Sequence, residues 1–73
     1  MAENRKLWQR QIEREAYRRI TAGEAPNTLD QLTQQILRWF RETHASAKVI
    51  TVKMVEDEIR DTWHRRHELI HGD

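Results

Sequence analysis

Three histidines near the end of the chain, His64, His67 and His71, are the residues whose types and spacing come nearest to chemistry. At i, i+3 and i+7 of a helix they fall within about 60° of one another. Three imidazoles on one face could bind Zn, Ni or Cu at the surface, or bridge two chains through the metal. The competing reading is electrostatic, because solvated histidines near a helix C-terminus meet its partial negative charge. A second array lies at the other end of the chain, where Lys6, Arg10, Arg14 and Arg18 recur at i+4 and line up as one ridge of cations over about three turns. Such a ridge suits nucleic-acid phosphates or an acidic protein surface. As plain structure it is a solvated face, or one that pairs with Asp57, Asp61 and their neighbours.

Two stretches resemble known motifs. His67-Glu68-Leu69-Ile70-His71 has the H-E-x-x-H spacing and resembles the zinc-binding motif of zincin metalloproteases. The resemblance would make His67 and His71 metal ligands and Glu68 the base that activates a metal-bound water. It covers five residues, and only Gly72 and Asp73 follow, where those enzymes bring a third protein ligand from downstream. Ile50, Thr51, Val55 and Ile59 are similar in apolar and cap spacing to the recognition-helix half of some bacterial helix-turn-helix repressors. The departure is the preceding stretch HASAKVI, too long for that turn, with His44 and Lys48 where apolar residues belong. The outward positions Lys53, Glu56, Asp57 and Arg60 are also too acidic for a surface pressed against phosphates. One serine, Ser46, without a His/Asp setting, no glycine-rich phosphate loop and no cysteine leave no constellation for nucleophilic catalysis.

Seventy-three residues make one domain, near the lower limit at which a single core stabilises a chain, so a dimer or a partner would help. The absence of cysteine removes disulfides and thiolate metal sites and gives no sign of an oxidising compartment. The start, MAENRKLWQRQ, lacks a signal-peptide apolar run, and no stretch of about 18 apolar residues could span a bilayer. A cytoplasmic protein is the expectation. Charged residues make up 34% and apolar ones 37%, a balance suited to amphipathic helices with salt-bridged outer faces. Charge is unevenly spread: +3 over residues 1 to 21, 0 over 22 to 50 and −2 over 51 to 73. That asymmetry either guides a partner or draws the two ends of the chain together.

Three helices must position these arrays. The first is expected over about residues 4 to 21, with Trp8, Ile12, Ala16 and Ile20 as its buried stripe. Tyr17 lies beyond the edge of that stripe and Leu7 falls on the far side. Arg5 and Arg19 lie closer to the buried side and should snorkel along it. Gly23 sits where a C-cap glycine belongs, and Pro26 prevents continuation. The second helix spans about residues 28 to 43, marked by Thr28 and Gln31 at capping-box spacing. It buries Leu29, Leu32, Ile36 and Phe40, with Leu37 and Trp39 widening the face. A loop follows, with Val49 and Ile50 tucked against the core or briefly extended. Thr51 caps a third helix over about residues 51 to 70, whose stripe is Val52, Val55, Ile59 and Trp63. Glu56 with Arg60 and Asp61 with Arg65 are i, i+4 pairs in the favourable order. Past Trp63 this helix should project and expose Ile70, with Leu69 beside it as a contact for a second copy or a partner helix.

The expected fold is therefore an all-α three-helix domain. The expected function is that of a small non-enzymatic interaction or regulatory module that recognises a macromolecular partner, without a cofactor. The partner would be a protein or a second copy of the chain, with Lys6, Arg10, Arg14 and Arg18 as the contact ridge. The alternative is a DNA-binding regulator of helix-turn-helix-like type, and a zinc-dependent hydrolase through His67, Glu68 and His71 stands a distant third.

Overall fold

The computed structural model describes residues 6–44 and 49–71, with the backbone alone described at His71. The expected features at Arg5, Ser46 and Lys48, and the first helix before Lys6, lie outside the described residues. Four helices follow in order: α1 Leu7–Thr21, α2 Leu29–Thr43, α3 Val52–His64 and α4 Arg66–His71. Among the described residues there is no strand, and the architecture is the all-α three-helix domain with one short helix added.

Local chemistry sets most of the boundaries. At the start of α1, Gln9 Oε1 accepts from the Lys6 backbone N–H at 2.7 Å, and a lysine side chain has no acceptor with which to reciprocate. The end of α1 is a Schellman arrangement: Glu24 N–H donates to Arg19 C=O at 2.8 Å and Gly23 N–H to Ile20 C=O at 3.2 Å. Gly23 stands at φ +75°, a left-handed conformation that glycine adopts without a Cβ clash. Thr28 caps α2 by accepting from Gln31 N–H at 3.1 Å, and Thr51 caps α3 by accepting from Met54 N–H at 3.2 Å. Each cap satisfies an orphan donor of the first turn.

The core is drawn from every layer. Ile12, Ala16 and Ile20 of α1 meet Leu32, Ile36, Leu37 and Phe40 of α2 and Val55, Ile59 and Trp63 of α3, and Ile50 joins them from the connection. Packing of α3 against both α1 and α2 is more extensive than that of α1 against α2, so α3 is the element the other two share. Trp8, Leu29 and Val52, expected inside, are only half-buried against this core. They occupy the first residues of their helices, where a bundle this short has no further layer to cover them. Leu37 and Ile50 belong to the core as well: Ile50 is 4% exposed while its neighbour Val49 is 75% exposed. Arg41 Nη2 donates to Ile50 C=O at 2.8 Å, which pins the end of the α2–α3 connection onto α2.

One expectation is corrected here. A single third helix over about residues 51 to 70 is not what forms, because α3 stops at His64 and Arg65 (φ −97°, ψ 12°) leaves the helical conformation. On a continuous helix Ile70, seven residues beyond Trp63, would extend the apolar stripe and Leu69 would sit roughly 120° away from it. The turn at Arg65 reverses these roles. Leu69 packs against the core, Ile70 remains 53% exposed, and α4 folds onto α1 instead of projecting. Arg66 holds the break, its guanidinium lying 4.1 Å from the centroid of the Trp63 ring while Nη1 donates to Trp63 C=O at 2.9 Å. The cation stacks on an aromatic face and satisfies a carbonyl at the helix end.

Candidate recognition surface

The molecule measures 36 × 33 × 18 Å, so its short dimension is less than two helix diameters of about 10–12 Å. Every long helix therefore keeps an outer face in solvent. Opposite the Ile12–Ala16–Ile20 stripe, α1 presents Leu7, Arg10, Arg14, Tyr17 and Arg18, all exposed. Leu7 is 67% and Tyr17 50% exposed, a large apolar and a large aromatic residue set among cations. Along the chain these follow at three- and four-residue steps, which places Leu7, Arg10, Arg14 and Tyr17 on one side of the helix.

The basic ridge is divided in two by its ion pairs. Arg18 forks onto Glu15, with Nε donating to Oε1 at 3.2 Å and Nη2 to Oε2 at 3.0 Å, and reaches Glu24 at 3.4 Å. Glu15 also receives Arg19 Nε at 2.7 Å, and Arg19 runs along the bundle edge to Gln35 Oε1 at 3.5 Å, the snorkelling expected of it. Hydrogen bonding from Arg18 holds the Glu15 carboxyl below its ordinary value of 4.5, against the opposing effect of burial and with help from Arg19. Arg18 is thus half-neutralised. Arg10 and Arg14, by contrast, make no ion pair with any described residue, and neither does Lys6.

Asp57 and Asp61, the acids that could have reached across from α3, are engaged on their own helix. Lys53 Nζ lies 3.2 Å from Asp57, Arg60 Nη2 lies 3.0 Å from Glu56 and 3.6 Å from Asp57, and Arg65 Nε lies 3.2 Å from Asp61. Both i, i+4 pairs read from the sequence, Glu56–Arg60 and Asp61–Arg65, form.

The remaining candidate residues are placed less suggestively. His64 and His67 are exposed and stand on different helices, α3 and α4, on either side of the turn at Arg65. Among the described residues there is no group of three or more His, Cys, Asp or Glu that could hold a metal ion, and the His71 side chain lies outside them. A trough of about 710 Å³ runs over the outer side of α2 among Arg38, Arg41, Gln34, Gln35, Trp39 and Glu42. It holds one carboxylate and no nucleophile, which gives it no acid–base pair to work with.

Two further features contribute to this surface. Leu7 and Tyr17 were legible as apolar residues off the buried stripe, and the signal lay in their sharing a face with Arg10 and Arg14. The other is a smaller hollow where the start of α1 meets the end of α2 and the entry to α3, lined by Leu7, Trp8, Phe40, His44, Val49 and Ile50. Sequence periodicity does not reveal it, because it exists only where three chain segments converge. No helix of the described residues is long and apolar enough to cross a membrane. No protein-family model, curated protein or solved structure matches this chain, so what it does has to be argued from its own surface.

Proposed function

We propose that this protein is a small non-enzymatic recognition module and that the outer face of α1 contacts its macromolecular partner, a protein with an acidic surface. The observation that carries the reading is the pairing of exposed Leu7 and Tyr17 with Arg10 and Arg14, which have no ion-pair partner among the described residues. Tyrosine and arginine are the residue types that concentrate binding energy at protein interfaces. The exposed leucine beside them gives a partner apolar area to cover. Two like-charged copies of this face would repel each other, which favours a different, acidic protein over self-association through it.

DNA binding is the second reading, supported by Lys6, Arg10 and Arg14 standing in line along α1. It comes second because Arg18, the fourth cation, is occupied by Glu15 and Glu24 and because Leu7 and Tyr17 interrupt the row. The recognition-helix analogy adds little, since the outward cations of α3 are bound to its own acids.

The test is to replace Arg10 and Arg14 together by Glu in the full chain and compare it with Arg60→Glu. Co-isolated protein partners should be lost from the first variant, with affinity reduced at least about tenfold, and retained by the second. Equal retention by both would refute the assignment of the face. Binding to duplex DNA that weakens with salt at a slope of roughly −0.9 per phosphate contact would move the second reading to first place.

A further inference from the structure

The hollow beside Leu7 has a volume of about 280 Å³, below the range of about 300–1,000 Å³ in which whole small molecules and cofactors are bound. Its size suits one bulky side chain. The floor is Phe40 and Ile50, both buried, and the walls are Trp8 and His44, both half-buried. The His44 ring stacks on Phe40 with centroids 4.2 Å apart and planes at 24°, so the wall is set by packing before anything arrives. Leu7 and Val49 form the rim at 67% and 75% exposure, and Gln11 is the polar residue at its edge. An exposed leucine and an exposed valine facing one aromatic-floored hollow keep apolar area in water that an apolar occupant would cover.

No cation lines the hollow itself, and the charge that specifies the occupant stands beyond the rim residue Leu7, on the outer side of α1. Lys6 adjoins Leu7, and Arg10 and Arg14 follow one and two turns along α1, within about 10 Å of it along the axis. None of the three has an ion pair among the described residues.

We infer that this hollow is the anchor site for a leucine- or phenylalanine-sized side chain of an acidic partner segment, whose carboxylates meet Lys6, Arg10 and Arg14. The inference deepens the reading of α1 as the contact face and rests on it. A segment of this kind pairs a buried apolar anchor with a charged rim, the arrangement by which small interfaces gain both affinity and register.

The experiment is a ¹H–¹⁵N shift titration of the full chain with three synthetic peptides: one rich in Asp and Glu around a single Phe, the same peptide with Ala for Phe, and the same peptide with Lys for every acid. The acidic Phe peptide should move Leu7, the Trp8 indole, His44 and Val49 together with Arg10 and Arg14. The Ala version should bind about tenfold more weakly, and the Lys version should not bind. Val49→Glu, at a position exposed enough to leave the fold intact, should reduce affinity for the Phe peptide by a similar factor. Shifts confined to Arg10, Arg14 and Tyr17 would overturn the anchor site while leaving the α1 face as the contact surface. Equal response to the acidic and basic peptides, or no response to any, would overturn the anchor site as well. So would shifts of the hollow that grow with the protein's own concentration in the absence of peptide, since a second copy would then be its occupant.

Discussion

The outer faces of α1 and α3 both carry cations and treat them in opposite ways. Lys53 and Arg60 on α3, and Arg65 at its C-cap, each meet an α3 acid three or four residues away, so the face is electrostatically closed on itself. α1 has two acids, Glu13 and Glu15, and Glu15 is spent on Arg18 and Arg19. Arg10 and Arg14 remain exposed without such partners among the described residues, next to Leu7 and Tyr17. A count of cations alone would rank the two faces alike. What separates them is where each charge finds its counter-charge, and an unmatched cation beside exposed apolar surface is the arrangement that a partner can exploit.

The largest effects should come from the core that both faces cover. Ile12 on α1 and Ile59 on α3 are each 0% exposed, and truncating either to Ala should cost about 2–5 kcal/mol in denaturant unfolding. A loss confined to one of them would show that the two helices are not parts of one cooperative unit. Next come the helix starts. Thr51→Ala removes the hydroxyl that accepts from Met54 N–H and should cost about 1 kcal/mol. Lys6→Ala, where the side chain provides no cap, should stay within about 0.5 kcal/mol of the parent.

Smaller still is the contrast between the charges themselves. Arg60→Ala breaks contacts to Glu56 and Asp57 that are largely solvated and should lower stability by about 0.3–0.5 kcal/mol. Arg10→Ala should leave stability unchanged while weakening partner binding. The reverse pattern, in which Arg10 matters to stability and Arg60 to binding, would invert the comparison. The last and smallest effect is acid dependence. Because the folded Glu15 carboxyl lies below its ordinary value of 4.5, the stability it contributes is complete above that value and is lost as pH falls through the lower folded one. Glu15→Gln should therefore flatten the acid limb of a stability–pH profile, and an unchanged limb would show that its two arginine contacts are not maintained in solution.

The features legible in the sequence were those set by local chemistry. Thr28, Thr51 and Gly23 announced helix ends through side-chain acceptors and a left-handed glycine, and the stripe from Ile12 to Ile20 announced its burial through period alone. The break at Arg65 was not legible, because on a continuous wheel Ile70 extends the stripe of Trp63. The docking of Leu69 against the core and of α4 on α1, with Arg66 stacked on Trp63, favours the turn. The same limit applies to the surface. The ridge of Lys6, Arg10 and Arg14 could be read from spacing. That Glu15 would draw Arg18 out of it depended on which of several nearby acids the side chain reached, and the hollow behind Leu7 depended on three segments meeting.

The central claim is that contact is made through α1 and not through α3, and site-specific photocrosslinking tests it most directly. A photoreactive phenylalanine placed at Tyr17, or in a separate variant at Asp57, probes two exposed positions on the two faces. Crosslinking to a defined protein from position 17, lost when Arg10 and Arg14 become Glu, with none from position 57, is the predicted result. Crosslinks from position 57 alone, or crosslinks from position 17 that survive the loss of both arginines, would contradict it.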